Sequence, residues 1–417
     1  MDVASADGAF AARFAGTRGG RTSTYTLATT LNLLTPEIVP ARASVDLLAG
    51  PADYLVISHP DFLGGLAPLV QAREAQASRA AHMRRACSAP LVQAREAQGW
   101  TVKVVDVNDV YQAYSGGIFD PHAIQAYIAD AAHQLGVRAV LLVGGDTYDY
   151  LDHLGLGSVS FIPTLYTNTR WGATFSPSDA LMADIDGDRV PDVAIGRLPV
   201  RTSAELAAEI RKILDYEKAG HALTAVFAAD GDEDNAPFTE QSEALASRLP
   251  QGWQVSRAFI DTKGLDGARA ELLGALNGGV SLTTYVGHSG PNSWTFDGLF
   301  TTQDASSLTN SGMPTIVSQW GCWNTYFVDP EADTMAHALM LDGDRGAAAV
   351  VGATTITTVD ADAVFAPLLQ DELVQPGVTV GEAILRAKKK LAQSHPEMNE
   401  VILGTTLLGD PGLVVTP

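Results

Sequence analysis

The sequence lacks the features that mark several large classes of protein. It contains two cysteines in 417 residues, which excludes a disulfide-rich scaffold and the paired-cysteine spacing of structural zinc sites. No apolar run reaches the ~18–20 residues that cross a bilayer, so no membrane span is predicted. The opening "MDVASADGAFAARFAGTRGG" also lacks the basic-then-apolar layout of a secretory signal peptide.

Basic residues are scarce as well. The chain has 27 Lys and Arg residues against 48 Asp and Glu residues, which gives a formal charge of −21. Such a surface repels nucleic acids and anionic membranes, so neither is expected as a partner. Hydrophobic residues make up 46% of the chain and charged residues 18%, a balance typical of globular domains with substantial cores and not of general disorder.

What the chain does contain is a regular alternation of strand and helix patterns. Apolar runs that begin near 52, 99 and 137 indicate buried strands, and amphipathic stretches such as 120–136 and 202–220 indicate helices. Continuous apolar strands separated by amphipathic helices are typical of parallel sheets covered on both faces. We therefore predict an α/β fold of two adjacent subdomains with mainly parallel sheets flanked by helices.

The subdomain boundaries follow from the same pattern. The first α/β subdomain is expected to cover 51–219 and the second 220–417. A helix marks the boundary, because Thr202 and Glu205 fit a capping box at its start. Residues 1–50 have weak periodicity and are expected to form an N-terminal tail or the remnant of a preceding domain.

One segment, "APLVQAREAQ", occurs twice, at 67–76 and at 89–98, with a shift of 22 residues and no differences. A solenoid would need at least three copies, so we interpret the pair as a tandem duplication within one helix-forming segment. The insert is expected to be a surface excursion; the alternative is an exposed basic segment that is cleaved or binds a partner. Cys87 lies in the insert and is therefore not a catalytic candidate.

Three predicted strands of the second subdomain end on reactive side chains, namely Asp230, His288 and Cys322. Because the carboxyl ends of parallel strands meet at one edge of a sheet, we expect these side chains to lie together. A thiol, an imidazole and a carboxylate are the groups of a nucleophile, a general base and an orienting acid. Gly287 and Gly321 precede the histidine and the cysteine, and small residues there would let a substrate backbone approach.

A serine nucleophile is the competing interpretation of the same region. The stretch "GHSGP" at 287–291 contains most of a nucleophile elbow, with Ser289 as the attacking residue. That motif requires Gly-x-Ser-x-Gly and a helix directly after the serine. Here Pro291 occupies the last position, and the following "PNSWTFDGLF" has no helical periodicity. The serine hydrolase is therefore the lesser alternative.

Several ordered stretches resemble the gingipain-type cysteine peptidases, peptidase family C25 of the caspase-like clan. They include "NGGVSLTTYVGHSGPNSW", "LTNSGMPTIVSQWGCWNTYF", "GAAAVVGATTIT" and "LLGDPGLVV", and the resemblance covers roughly 50–417. It implies a caspase-like fold and a cysteine endopeptidase that hydrolyses peptide bonds. The family's nucleophile falls on Cys322, its general base and acid on His288, and its supporting acid on Asp230.

The resemblance also implies the rest of the site. Backbone N–H groups from Gly287 to Ser289 and at Cys322 would form an oxyanion hole. The positions expected to bind the oxyanion or the substrate are Gly287, Ser289, Gly321, Trp294 and Trp323. Three positions differ from the family pattern: Ser289 and Thr325 replace glycines, and Phe238 stands where arginine-cleaving members carry an acid.

The same resemblance implies further properties of the protein. No organic cofactor is expected, and the partner would be a protein or peptide substrate. The chain would be part of a larger multidomain precursor that is secreted or displayed at the cell surface. A catalytically inactive scaffold module with the same fold remains the alternative from a different functional class.

A second candidate site is the stretch "DIDGDRVPD" at 184–192. Asp184, Asp186, Asp188 and Asp192 alternate with other residues around Gly187. Carboxylates spaced in this way around a glycine turn suit Ca²⁺, which binds six to eight oxygen ligands. The sequence therefore predicts a structural calcium site, and the alternative is an ordinary acidic turn.

Overall fold

The computed structural model describes residues 2–6, 9–13, 42–83, 99–169, 175–219 and 223–415. Its strands are β1 (Asp2–Ala6), β2 (Ala9–Arg13), β3 (Tyr54–Ser58), β4 (Val102–Asp106), β5 (Ala139–Val143), β6 (Leu165–Thr167), β7 (Ser176–Ser178), β8 (Ala194–Leu198), β9 (Thr224–Ala229), β10 (Gln254–Phe259), β11 (Leu282–Val286), β12 (Ser289–Gly290), β13 (Ser293–Trp294), β14 (Phe300–Thr301), β15 (Thr315–Trp320), β16 (Ala347–Ala353) and β17 (Thr405–Gly409).

The helices lie between these strands. They are α1 (Pro60–Leu63), α2 (Ala67–Met83), α3 (Val107–Tyr114), α4 (Pro121–Leu135), α5 (Asp179–Met182), α6 (Ser203–Lys218), α7 (Phe238–Ala246), α8 (Ile260–Gly278), α9 (Thr302–Ser306), α10 (Met335–Leu341), α11 (Val359–Leu373), α12 (Val380–Ser394) and α13 (Asn399–Gly404). None of the helices in the described ranges combines the length and the hydrophobicity that a membrane span requires.

One ten-stranded sheet organises residues 42–417, in the order β10-β9-β11-β15-β16-β17-β8-β5-β3-β4. Every neighbouring pair is parallel except β16 with β17. The predicted α/β fold with a mainly parallel sheet is therefore confirmed. Strands from the first predicted subdomain lie on one side of β17 and strands from the second lie on the other, so the two halves share a continuous sheet. Within residues 1–41, β1 and β2 pair with each other as an antiparallel hairpin.

The strands form where short apolar runs are bounded by polar or glycine-containing turns. β3 (YLVIS), β5 (AVLLV) and β16 (AAAVVGA) are buried along their whole length, as strands covered on both faces must be. The helices have capping residues at their ends. The Asp120 side chain caps α4 by accepting the His122 N–H, and α4 ends at Gly136 with a left-handed φ of 86°. Thr202 and Glu205 form the predicted capping box of α6.

Strand β17 is absent from the predicted strands, yet it lies in the middle of the sheet. It can pair closely with β8 because Gly196 has no side chain; a Cβ there would overlap the carbonyl oxygen of Gly409. Asp410 follows β17 and is fully buried. Its carboxylate accepts hydrogen bonds from the Tyr54 hydroxyl at 2.7 Å and from Arg73 Nε at 3.0 Å. These contacts tie the late strand to the first half of the chain.

The first copy of the duplicated segment, at 67–76, connects the end of β17 to the first half of the chain. It forms the beginning of α2, and its Arg73 also pairs with Glu217 at 2.5 Å. Gln76 of the same copy donates to the carbonyl of Gly412 at 3.0 Å. The first copy is therefore a packed structural helix. The second copy and Cys87 lie outside the described residues.

A second buried cation organises the first half of the sheet. Arg197 on β8 is completely buried and forms a bidentate pair with Asp179, at 2.7 and 2.8 Å. Its remaining donors reach the carbonyl oxygens of Gly144 at 2.8 Å and Ile162 at 2.6 Å. A buried ion pair persists only when hydrogen bonds satisfy its polar groups in this way.

Replacement of Arg197 by Met should therefore be strongly destabilising. The variant leaves the Asp179 carboxylate and two carbonyl groups buried without their partner, so we expect the free energy of unfolding to fall by about 3–5 kcal/mol. Denaturant titration measures the change. The matched control is Arg248→Met, since Arg248 and Asp371 form an exposed pair, 39% and 46% accessible, and its loss should cost no more than about 1 kcal/mol. Equal losses in the two variants would contradict the role given to Arg197.

Candidate active site

Three neighbouring strands, β9, β11 and β15, bring the predicted residues to one edge of the sheet. β11 lies between the other two, all three are parallel, and their last residues are paired in register. Asp230 directly follows β9, while His288 and Cys322 each stand two residues past the ends of β11 and β15. Because paired strands are ~4.8 Å apart, the backbones at His288 and Cys322 lie side by side.

Gly287 and Gly321 allow the ends of β11 and β15 to approach each other. A Cβ on Gly321 would overlap the Gly287 carbonyl oxygen and the Ser289 hydroxyl, and a Cβ on Gly287 would overlap the side chain of Asp230. The Ser289 hydroxyl donates a hydrogen bond of 2.8 Å to the carbonyl of Cys322. The glycines therefore make room for neighbouring protein atoms, whereas the sequence pattern suggested room for a substrate backbone.

The acid beside the imidazole of His288 is Glu233, not the predicted Asp230. Glu233 Oε1 lies 3.4 Å from His288 Nε2. The Asp230 carboxylate instead accepts the backbone N–H groups of His288, at 3.1 Å, and of Gly231, at 2.8 Å. Burial raises the pKa of Asp230, while these N–H groups act in the opposite direction. Asp230 thus holds the backbone that carries the imidazole and leaves the ring itself to Glu233.

Two phenylalanines flank the imidazole. Phe238 meets the His288 ring edge to face, with centroids 5.3 Å apart, and Phe296 stacks on it at 5.1 Å. Phe238 is buried, whereas Phe296 is 82% exposed. The imidazole therefore rests on an apolar support, with an exposed aromatic side chain beside it.

The thiol of Cys322 is partly buried and faces the backbone after β16. Its Sγ lies 3.4 Å from the Thr357 nitrogen, whose N–H donates to it, and 3.7 Å from the Thr357 carbonyl oxygen. Burial raises the pKa of Cys322, and the Thr357 N–H opposes that shift. Among the described residues no hydrogen bond joins the thiol to His288. Catalytic hydrogen bonds are often long in a free enzyme and tighten in its substrate complex.

The backbone donors at this edge differ in their availability. The N–H groups of Gly287 and His288 are used, because they donate to Trp320 O and to Asp230. The N–H of Cys322 donates to no other group in the described part of the chain. Since the Thr295 N–H donates to His288 O, Ser289 and Trp294 form a non-hydrogen-bonded pair of the β12–β13 ladder, and the Ser289 N–H points away from β13. Only part of the predicted oxyanion hole therefore remains available.

The two predicted substrate-binding tryptophans have different environments. Trp294 is fully buried, stacks on Tyr285 with centroids 4.6 Å apart, and donates from its indole nitrogen to Gln319 at 2.8 Å. It is a core residue and lines no open substrate surface, which corrects the expectation for this position. Trp323 directly follows Cys322, is partly exposed, and has a left-handed φ of 62°. Such strain in a non-glycine residue is concentrated at functional sites.

Residues 48–416 match the sequence model of a known family, described as peptidase family C25. The chain belongs to this family. Gingipain R2 of Porphyromonas gingivalis (strain W83) is 25% identical over 258 residues, which cover 57% of this chain and 35% of the relative. Gingipain R1 of the same organism is also 25% identical, over 57% of this chain and 26% of its own length. The chain thus spans about a third or less of the length of the curated relatives it matches.

Solved structures share the fold of this C25 chain. The crystal structure of the Arg-specific cysteine proteinase gingipain R has a TM-score of 0.66 at 19% identity, covering 90% of this chain and 80% of that one. The complex of the pro- and mature domains of Porphyromonas gingivalis RgpB has a TM-score of 0.65 at 20% identity, with 88% and 79% coverage. The predicted caspase-like α/β architecture is confirmed, and family and fold together point to a cysteine peptidase.

The positions that differ from the C25 pattern fit without backbone strain. Ser289 and Thr325 have no positive φ, so neither position needs the conformational freedom of glycine. Thr325 is buried, and its N–H donates to the carbonyl of Ala353 at 3.1 Å. Phe238, at the third position, packs its ring against His288.

The acidic loop at 184–192 brings together three of the four carboxylates that are predicted to bind calcium. Carboxylate oxygens of Asp184, Asp186 and Asp188 lie within 4.8 Å of one another. Burial raises the pKa of Asp184, and backbone N–H groups of the loop oppose that shift. Asp192 lies outside the group of three, and its Oδ1 is 3.7 Å from Lys389 Nζ.

Several residues of the site were not predicted from the sequence. Glu233 lies in the acidic stretch "ADGDEDN", whose members resemble a solvated loop. Thr357 and its hydrogen-bond partner Asp362 follow β16, the parallel strand next to β15. The rule that assigns function to strand ends points to the segment after β16 that contains Thr357, but not to Asp362, which lies nine residues past the strand and within α11.

The approach of the two strand ends can be tested with Gly321→Ala. The added methyl group has to displace Gly287 O and the Ser289 hydroxyl, so we expect a loss of about 1–3 kcal/mol in the free energy of unfolding. Gly290→Ala is the matched control, because a Cβ at Gly290 meets no atom within 4 Å. Thermal and denaturant unfolding of both variants provide the measurement. A Gly321→Ala variant as stable as Gly290→Ala would show that the strand ends are not in contact.

Proposed function

We propose that this protein is a cysteine endopeptidase in which Cys322 is the nucleophile and His288 the general base and acid. The observation that carries the proposal is the position of both residues beyond the paired ends of β11 and β15, where Ser289 bonds to the carbonyl of Cys322. Nucleophilic catalysis requires a thiol and a base within reach of one carbonyl carbon. Membership of peptidase family C25 supports the same chemistry.

The proposed reaction has two stages. The Cys322 proton passes to the His288 imidazole, and the thiolate sulfur attacks the carbonyl carbon of the scissile peptide bond. The N–H of Cys322, which has no acceptor among the described residues, donates to the oxyanion that forms. The imidazolium then protonates the leaving amine as the C–N bond breaks. In the second stage His288 takes a proton from a water molecule, whose oxygen attacks the thioester carbon. The C–S bond breaks, the acid product leaves, and the imidazolium returns its proton to the Cys322 sulfur.

Two acids support the base in different ways. Glu233 lies beside Nε2 and stabilises the imidazolium, although its 62% exposure makes this interaction weak and sensitive to salt. Asp230 stabilises the backbone of His288 through a hydrogen bond of 3.1 Å. Substrate contacts are assigned to Phe296 and Trp323, whose side chains reach the surface beside the base and the nucleophile.

The competing function is an inactive scaffold. Burial of the Cys322 thiol and the raised pKa that results favour the protonated, less reactive form, which is the observation on this side. The two functions differ in the reactivity of a single sulfur atom. Chemical labelling separates them directly.

Replacement of Cys322 by Ala should abolish peptide hydrolysis and iodoacetamide labelling together. His288→Ala should lower the rate of hydrolysis by at least about 100-fold, because proton transfer by a positioned side chain contributes 10²–10⁴-fold. A fluorogenic peptide library and mass spectrometry of the labelled residue provide the two measurements.

Ser289→Ala is the matched control for the serine mechanism. It removes the hydrogen bond to Cys322 O and should cost about 1 kcal/mol of stability while retaining turnover. Hydrolysis that survives in Cys322→Ala but is lost in Ser289→Ala would refute the cysteine mechanism. A wild-type protein that folds, cleaves no peptide of the library and resists labelling would identify the scaffold.

For the acidic loop at 184–192 we propose a structural Ca²⁺ site formed by Asp184, Asp186 and Asp188; the peptidase family implies no organic cofactor. Three converging carboxylates in a turn support this assignment. Asp192 is left out of the ligand set, because its carboxylate faces Lys389.

Saturating Ca²⁺ should raise the melting temperature of the wild type by about 1–4 °C, because an ion that binds only the folded state stabilises it. Asp186→Asn should lose this response, and the exposed control Asp297→Asn should keep it. Differential scanning calorimetry with Ca²⁺ and with Mg²⁺ measures the effect. An identical shift in the wild type and in Asp186→Asn would exclude the site.

The remaining properties stay predictions. We propose proteins or peptides as the substrates, and a longer multidomain precursor as the source of the chain. A secreted or cell-surface location follows from the same resemblance to the gingipains. Immunodetection of the native protein in cell fractions and medium would report both its size and its location.

A further inference from the structure

The end of β16 contributes a third group of residues to the candidate site. Three atoms of Thr357 lie near the Cys322 sulfur: the backbone nitrogen at 3.4 Å, the carbonyl oxygen at 3.7 Å and the hydroxyl oxygen at 4.0 Å. The carbonyl can accept the S–H proton of the thiol, and the N–H can donate to the thiolate. Thr357 can therefore stabilise the sulfur in both protonation states.

Thr357 is in turn held by a buried acid. Its hydroxyl donates to Asp362 Oδ2 at 2.8 Å, and Asp362 is only 9% exposed. The carboxyl group accepts no other hydrogen bond from the described residues. Asp362 lies in the first turns of α11, after the helix cap Thr358. The helix thus places a carboxyl group behind the segment that faces the nucleophile.

We propose that Asp362 is a positioning residue of the cysteine site, which holds Thr357 against the Cys322 sulfur and opposes thiolate formation when its own carboxyl group is ionised. This inference rests on the proposed peptidase function, and it adds a residue that the dyad of His288 and Cys322 does not include. Asp362 acts through Thr357 and through its charge, and it needs no contact with the substrate.

The charge of Asp362 depends on pH in the neutral range. Burial raises its pKa to about 7, and the hydrogen bond from Thr357 opposes the shift. Below that value the carboxyl group is neutral and leaves the thiol undisturbed. Above that value it carries a negative charge, which raises the pKa of Cys322. Ionisation of the acid therefore works against ionisation of the thiol in the alkaline range.

Other charged groups lie on α11 itself or on the elements packed against it. The exposed Asp360 lies in the first turn of α11, and Glu400 on α13 lies beside Thr357 and Thr358. Arg248, in the loop after α7, pairs with Asp371 of α11. Arg386 and Lys390 on α12 pair with Glu372 of α11. None of them shifts the pKa of Asp362, for which burial and Thr357 are the causes. His288 lies beyond the end of β11, and β15 separates that strand from β16.

The decisive experiment compares Asp362→Asn with Asp360→Asn in the full chain, each with Cys87→Ser so that one cysteine reacts. The rate of iodoacetamide alkylation is measured from pH 5.5 to 9.5. At pH 6 wild type and Asp362→Asn should react equally, because the acid is neutral there. Above pH 7 Asp362→Asn should react faster, by up to about tenfold, with its midpoint about one pH unit lower. Asp360→Asn should match the wild type.

A second pair of variants tests the link through Thr357. Thr357→Ser keeps the hydroxyl and should reproduce the wild-type profile. Thr357→Val loses the hydrogen bond to Asp362, so the N–H donor is no longer held at the sulfur and the alkylation midpoint should rise. This pair keeps the proposal testable if Asp362→Asn fails to fold, which thermal unfolding would reveal.

Two results would overturn the assignment. One concerns Asp362→Asn: its alkylation rate equals that of the wild type above pH 7, or differs from it by the same factor at every pH, which is what a purely structural role predicts. The other is equal behaviour of Thr357→Val and Thr357→Ser. Peptide hydrolysis is measured in parallel: a protein that shows the predicted shift but cleaves no peptide contradicts the proposed function and leaves the assignment of Asp362 to the thiol intact.

Discussion

The pairing of β17 between β16 and β8 is the constraint on which the rest of the structure depends. This strand is antiparallel to β16, parallel to β8, and connects two sets of parallel strands that would otherwise be separate. Glycines at 196 and 409 allow the close approach of the backbones. The buried carboxylate of Asp410 then fixes the end of the strand to Tyr54 and Arg73. One continuous sheet follows, and with it a single edge at which strand ends can cooperate.

The residues of the candidate site lie along that edge of the sheet. Consecutive parallel strands end at the same height, so that an acid, an imidazole, a thiol and a buried carboxyl group follow β9, β11, β15 and β16 in order across the sheet. The two glycines before the imidazole and the thiol bring the backbones together, and Ser289 bonds across the gap. The surrounding core keeps these segments in place, while Phe296 and Trp323 remain accessible at the surface. A rigid sheet thus supports a short set of functional loops.

Much of this arrangement is predictable from the sequence, and the exceptions have physical reasons. Long apolar runs predict β9, β11 and β15, and His288 and Cys322 are the reactive residues that follow the last two of these strands. β17 is missed because "TTLLG" is short and follows another apolar helix without a clear turn. The environment of Trp294 and the exchange of roles between Asp230 and Glu233 depend on loop conformations, which have no periodic signal. The likeness to gingipains suggests His288 and Cys322 as the proposed dyad but gives no information on their neighbours.

The location of β17 has a consequence for the synthesis of the protein. Its Leu408 pairs with Arg197 of β8, about half of the chain earlier. Contacts between residues so far apart in sequence form slowly, because the chain loses the entropy of closing a long loop before the contacts stabilise it. While a ribosome extends the chain, both halves of the sheet expose an unpaired edge until this strand emerges. Such edges are prone to pair with other chains. The two halves of the sheet therefore stay open to such pairing until synthesis of the chain is almost complete.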